Sequence, residues 1–245
     1  VAVANGIVLG QTDSGDLYAY PEDCTGSCRP LWHARTYGNE STPAVGRGFV
    51  FAQNDHALRA FPLTCRSDGG LCRAAWSTRF DSLSSQPVYA DGRVYALRGE
   101  DGIVAFDAHC SRRGGCGVQG DWHVPGVSSF TVAGTHVYAA SGDEVAAFPA
   151  TCPPQIGCHP LWRLGRLPAA PSTPVVADGL VFFTAGPQLY AVPTDCDHPG
   201  PNCASARVTD VPGNRSALSA ATPTSDAVYA VGADGWLYAF TVPGH

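Results

Sequence analysis

The chain has 245 residues, with 28 Gly, 20 Pro, 10 Cys, no Met and a formal charge of −6. Hydrophobic residues reach 44%, enough to bury a core, and no apolar run approaches the ~20 residues that a membrane helix needs. The acidic balance excludes nucleic-acid binding through a basic face, and because all fifteen cations are Arg, no Lys Schiff base or Lys general base is available.

In chain order, one pattern recurs. Leu-Tyr-Ala-Phe type runs stand at 17–20, 58–61, 103–106, 145–148, 189–192 and 237–240. Five of them are followed by a cysteine pair: Cys24/Cys28, Cys65/Cys72, Cys110/Cys116, Cys152/Cys158 and Cys196/Cys203. The first members are 41, 45, 42 and 44 residues apart. Trp32, Trp76 and Trp162 each stand four residues after a second cysteine, and Trp122 six after one. A Ser-x-Pro tripeptide opens several units (Ser41-Thr42-Pro43, Ser85-Gln86-Pro87, Ser172-Thr173-Pro174), with a looser form at Thr222-Pro223. Between these landmarks, β-branched and aromatic runs alternate with Gly, Asp, Asn and Pro punctuation.

Four short strands at a period near 43 residues are the pattern of a propeller blade, which buries its two faces only by stacking on its neighbours. The expected fold is all-β: a single β-propeller domain over 1–245, built of six four-stranded blade repeats, with one disulfide in each of five blades. The repeats are placed at about 1–38, 39–82, 83–126, 127–168, 169–213 and 214–245. The last blade is expected to be incomplete, because the chain stops where its cysteine hairpin and fourth strand should begin. Without Met at position 1, residues upstream of Val1 are expected to have been removed or to lie outside this chain. Such residues, or a partner's strand, would complete the open edge.

The unit resembles the quinoprotein-type (PQQ-like) propeller repeat over the whole chain. The resemblance rests on Thr173-Pro174-Val175-Val176-Ala177-Asp178-Gly179-Leu180-Val181-Phe182, on Gly15-Asp16-Leu17-Tyr18-Ala19-Tyr20, and on Ala233-Asp234-Gly235-Trp236-Leu237-Tyr238-Ala239-Phe240. It implies the architecture. It would also call for adjacent cysteines over a quinone, a catalytic Asp and carboxylate ligands for Ca²⁺, whereas no two cysteines here are adjacent and a Cys pair replaces the family's Thr-Gly hairpin.

The cysteine pairs admit zinc, redox or structural readings. Zinc needs four ligands, and pairs one blade apart are too distant to share an ion. Neither C-x-x-C nor C-x-x-C-H occurs. Five structural disulfides remain, which implies an oxidising, secreted or extracytoplasmic location. Asn39-Glu40-Ser41 and Asn214-Arg215-Ser216 have the form of glycosylation sequons and read as turn residues.

No G-x-S-x-G elbow and no H-E-x-x-H motif occurs. His33, His109, His123, His159 and His198 fall beside cysteine hairpins or in outer strands and read as solvated or locally hydrogen-bonded; His56 and His136 are isolated. The loops between second and third strands are rich in Asp, Asn and Gly. They yield Asp55, Glu100, Asp101, Asp143 and Asp234 as candidates for a channel-mouth site, although Asp-Gly is also what a tight turn requires. No cofactor and no metal site is expected. The reading is a non-catalytic scaffold or sensor module that binds protein partners or copies of itself. The alternatives are a quinone- or metal-dependent oxidoreductase and a carbohydrate-binding propeller.

Overall fold

The computed structural model describes residues 1–37, 41–79, 82–99, 102–110, 124–151, 158–196, 207–210 and 216–241. Of the residues singled out in the sequence, Asn39, Glu100, Asp101, Cys116, Trp122, His123, Cys152, His198, Cys203 and Asn214 lie outside the described residues. The chain divides into two compact units, the first spanning Val1–Pro125 and the second beginning at Gly126.

The first unit holds three antiparallel sheets. Sheet 1 is β1 (Ala2–Ala4), β2 (Ile7–Gln11), β3 (Asp16–Pro21) and β4 (Trp32–Arg35). Sheet 2 is β5 (Ala44–Gly46), β6 (Phe49–Asn54), β7 (Ala57–Pro62) and β8 (Trp76–Arg79). Sheet 3 contains β9 (Val88–Ala90), β10 (Arg93–Arg98) and β11 (Gly102–Asp107). Within each sheet, neighbours in sequence are neighbours in space, and the first strands of successive sheets lie against one another. That is blade-like stacking.

The second unit repeats the scheme. Sheet 4 is β12 (Ser129–Ala133), β13 (His136–Ser141), β14 (Glu144–Pro149) and β15 (Trp162–Leu164). Sheet 5 is β16 (Val175–Ala177), β17 (Leu180–Ala185), β18 (Gln188–Pro193) and β19 (Arg207–Asp210). Sheet 6 contains β20 (Thr222–Pro223), β21 (Ala227–Val231) and β22 (Leu237–Thr241). Every sheet falls inside one sequence repeat.

Local chemistry explains the strands. The first hairpin of sheets 1, 2, 3 and 5 turns on Asn5-Gly6, Arg47-Gly48, Asp91-Gly92 and Asp178-Gly179, with φ between 44° and 78° at all eight residues. Two successive positive φ values define the type I′ turn, whose twist matches that of the flanking strands. The middle strands read as nearly unbroken apolar runs because both of their faces are covered. On β6, Val50 and Ala52 point into a core shared with Leu9, Leu17 and Trp32 of sheet 1. Phe51 points the other way, into a core with Val94 and Phe106 of sheet 3. The rings of Phe51 and Tyr89 stack at 5.7 Å. A Cβ on Gly46 would overlap the Tyr89 ring, which is why that strand position is glycine.

Two further repeated devices tie the sheets together. Trp32 Nε1 donates to the Leu63 carbonyl (2.9 Å), and Trp76 Nε1 to that of Ala108 (3.1 Å), so each indole reaches from one sheet to the residue just past the third strand of the next. The Ser of the Ser-x-Pro motif accepts a backbone N–H twelve residues on: Leu97 to Ser85 Oγ (2.9 Å) and Thr184 to Ser172 Oγ (3.0 Å). Val231 does the same to Ser219 (2.9 Å).

Cys24–Cys28 and Cys65–Cys72 are disulfides with Cα separations of 6.1 and 5.9 Å. Cys110, Cys158 and Cys196 are disulfide-bonded as well. The Cys65–Cys72 hairpin lies along β4 of the preceding sheet. Gly69 N donates to the Leu31 carbonyl (2.8 Å), His33 N to that of Gly70 (3.2 Å) and Cys72 N to that of His33 (2.7 Å). The His33 ring completes the strap, its Nδ1 bonding the Gly69 carbonyl at 2.9 Å. A sheet edge that would otherwise be open is covered by a hairpin from its neighbour.

In sheet 4, Tyr138 is buried in the core shared with sheet 5. Burial pushes its hydroxyl up to about 12, and the Asp195 charge adds to the effect. The folded chain therefore keeps this proton at a pH where the unfolded chain, near the ordinary value of about 10, releases it. Stability is expected to be level below pH ~10 and to fall as pH rises through ~12. Urea denaturation of Tyr138→Phe across that range should show a shallower fall than the parent; an unchanged slope would contradict the assignment.

Candidate functional site

The first unit carries a cleft of about 210 Å³. It is lined by Ser41, by Gln53, Asn54 and Asp55 at the end of β6, and by Leu83, Ser84, Ser85 and Gln86 ahead of β9. β6 carries apolar side chains as far as Ala52 and then places two carboxamides, both buried, at the sheet's end.

Asn54 is fully engaged. Its Nδ2 donates to the carbonyls of Thr36 (2.6 Å) and Tyr37 (2.9 Å), and its Oδ1 accepts the His56 N–H (3.0 Å). Arg59 Nη1 also donates to the Thr36 carbonyl (2.7 Å), and its guanidinium lies 5.5 Å from the Tyr37 ring centroid. Burial lowers Arg59 from its ordinary value while Tyr37 opposes the shift; a guanidinium remains a cation throughout.

Behind the cleft, Gln11 of β2 donates to Thr36 Oγ1 (2.9 Å) and to the Gln53 carbonyl (3.3 Å). Ser41 Oγ donates to the same carbonyl at 3.3 Å. On the opposite wall, Leu83 N donates to the Asp55 carbonyl (2.7 Å) and Ser84 N to that of Leu97 (3.0 Å), which pins this loop to both sheets. Gln53 Nε2 donates to the Ser85 carbonyl. Its Oε1, buried, has no hydrogen-bond partner.

Of the five acidic candidates from the sequence, Asp55, Asp143 and Asp234 fall within the described residues. Asp55 lies on the cleft, and its backbone carbonyl holds Leu83. Asp143 is exposed in the turn between β13 and β14, where its carbonyl accepts the Leu167 N–H (3.1 Å). Asp234 is engaged within its own turn: Oδ1 accepts Trp236 N–H (3.1 Å) and Oδ2 the Tyr238 hydroxyl (2.5 Å). Those two bonds hold its carboxyl below the usual range. Asp55 belongs to the first unit, Asp143 and Asp234 to the second. Among the described residues no three His, Cys, Asp or Glu side chains are grouped so as to hold a metal ion. His136 lies beside Tyr138, with ring centroids 6.1 Å apart.

Sequence reasoning reached the loop from Asn54 to His56 but missed Gln53, Ser84 and the wall formed by Leu83. The available signal was a Gln-Asn pair ending a strand that is otherwise apolar, followed thirty residues on by a serine pair before Pro87.

No family model matches the chain, and no curated protein matches it in sequence. Solved structures do match. BamB from Moraxella catarrhalis superposes with a TM-score of 0.63 at 17% identity, covering 99% of this chain and 69% of that one. The β-propeller domain of Cps50 (Swd1) from Myceliophteria thermophila gives 0.61 at 13%, covering 98% and 84%. Sqt1 from Saccharomyces cerevisiae gives 0.62 at 12%, covering 96% and 68%. With the stacked four-stranded sheets, this likeness establishes a β-propeller fold. Among the described residues no helix is long and apolar enough to cross a membrane.

Proposed function

We propose that the chain is a non-catalytic, extracytoplasmic β-propeller of six PQQ-like blade repeats that serves as a protein-binding scaffold, self-association through sheet 6 being its simplest mode. The observation that carries this is the tip of the β21–β22 hairpin. Trp236 is 70% and Leu237 64% exposed, and Val231, paired with Leu237 across the hairpin, is also exposed. Exposed Trp beside aliphatic side chains is the composition of a binding hot spot. Alongside it, β22 is an edge strand among the described residues, and an edge offers N–H and C=O groups to an added strand.

The location follows from the cysteine hairpins, read as one cystine in each of five blades, since such a framework persists in an oxidising compartment. Within the cleft the Ser85 hydroxyl is fixed to backbone groups: its Oγ accepts from Leu97 N and donates to the Gln86 carbonyl (3.1 Å).

Sedimentation velocity of the unreduced protein over a concentration series tests the proposal. The parent is expected to associate. Trp236→Ala with Leu237→Asp should weaken association by more than about tenfold, as the loss of a hot spot does. A parent that stays monomeric throughout, or a variant that associates equally well, overturns it.

A further inference from the structure

We infer that copies of this chain stack head to tail, the open face of sheet 6 in one copy lying on the open face of sheet 1 in the next. The inference rests on the self-association proposed above and names the surface that receives sheet 6.

It starts from the register that the sheets share. Strand pairing puts Val8 of sheet 1 at the position held by Val50, Val94, Val137, Val181 and Val228 in the other five. Those five are at most 1% exposed. Val50 lies in a core with Leu17 and Trp32 of sheet 1, Val94 with Leu58 and Trp76 of sheet 2, and Val181 with Val145 and Trp162 of sheet 4. In each case the cover is the sheet before it. Val8 is only half-buried, as is Tyr20 across from it on β3, and Val3 across from it on β1 is exposed.

Sheet 6 shows the converse on its other face. Leu17, Leu58, Ile103, Val145 and Leu189 hold one position of the third strand and are at most 5% exposed. Leu237 holds that position in sheet 6 and is 64% exposed. Val231 and Ala239 on the same face are exposed too. The interface that joins sheets 1 and 2, 2 and 3, and 4 and 5 therefore continues onto both of these faces. A stacked repeat that ends in water carries a polar outer face. Neither face does so here: Tyr229, Val231, Leu237 and Ala239 meet no charge on one, and Val3, Val8, Gly10 and Tyr20 none on the other.

The faces are also unlike in the way that stacking needs. Within the chain, the position two residues after the shared valine is small, Ala52 lying in the core with Leu17 and Trp32, and Ala96 in the core with Leu58 and Trp76. In sheet 1 it is Gly10, where a Cβ would meet nothing within 4 Å. Tyr18 pairs with Gly10 across the strands and stacks on Tyr20 with ring centroids 6.2 Å apart. The result is a hollow walled by aromatic rings, which accepts a protruding aliphatic side chain such as Leu237. One face supplies the knob and the other the hole, so the contact is heterologous and leaves each copy with a face for the next.

Sedimentation velocity on paired variants of the full chain tests this. Gly10→Arg blocks the face of sheet 1, and Leu237→Asp blocks that of sheet 6. Each alone is expected to weaken self-association by more than about tenfold, because an ion between stacked apolar faces has no partner. Mixed in equal amounts, the two variants retain one good face of each kind and are expected to form a one-to-one dimer that grows no further. Both changes fall at open positions, so their melting temperatures should match the parent's. If Gly10→Arg fails to fold, Val3→Asp on the exposed side of β1 blocks the same face. Self-association that persists in the sheet 1 variant, or a mixture that forms no dimer, overturns the inference and leaves association through sheet 6 standing. A parent that stays monomeric, with another occupant on these faces, overturns both.

Discussion

Trp32→Ala is expected to cost about 3–5 kcal/mol, the range for emptying a buried aromatic site, and to lower the melting temperature by about 6–20 °C. Trp32 is wholly buried, in a core made of Leu9 and Leu17 from its own sheet and Val50 and Phe61 from the next. Its indole N–H also makes a bond between the two sheets, through the Leu63 carbonyl. Trp→Phe separates the two contributions. At position 32 it keeps most of the packing and strands a carbonyl, for a further loss of about 1–3 kcal/mol. At position 162 the indole N–H is buried without a partner, so Trp162→Phe removes an unsatisfied donor and should be much milder than Trp32→Phe. Denaturant midpoints of the two variants provide the check. Equal losses would show that the inter-sheet bond contributes nothing.

Removing the Cys65–Cys72 bridge as Cys65→Ala with Cys72→Ala is expected to cost about 2.5 kcal/mol from loop entropy alone, against about 2 kcal/mol for the shorter Cys24–Cys28 loop. The difference should widen beyond that. Cys72 is buried in the core with Trp32 and Leu63, whereas residues 25–27 of the first hairpin are exposed. The second hairpin also straps β4, so hydrogen exchange should report the loss locally. The amides of His33 and Cys72, which bond across the strap, should lose protection in the Cys65/Cys72 variant and keep it in the Cys24/Cys28 variant. Protection unchanged in both would mean that the strap holds without its cystine.

The architecture was legible because a stacked sheet buries the same strand positions in every repeat, so Val50-Phe51, Val94-Tyr95 and Val181-Phe182 recur at the second and third positions of β6, β10 and β17. The two cystines closed within the described residues were legible too, as each joins neighbours across a short loop. What the tryptophans bond was not, since the acceptor of Trp32 lies 31 residues away in another sheet. Nor was the strap, which depends on a hairpin lying against a strand of the preceding repeat.

The cleft was hidden for the same reason: Ser41, Gln53 and Ser84 come from three separate segments. Acidic turns drew attention instead because Asp and Gly are recognisable locally. For Asp234 that local chemistry is the turn itself, through Trp236 N–H and the Tyr238 hydroxyl.

Native mass spectrometry of the unreduced protein, taken from its own source, tests the scaffold account most directly. The proposed cystine in each of five blades predicts a chain mass ten hydrogens below the reduced value, with further copies or a partner chain attached and no small cofactor. A monomer carrying a quinone-sized or metal-sized addition would contradict the account and place an oxidoreductase first.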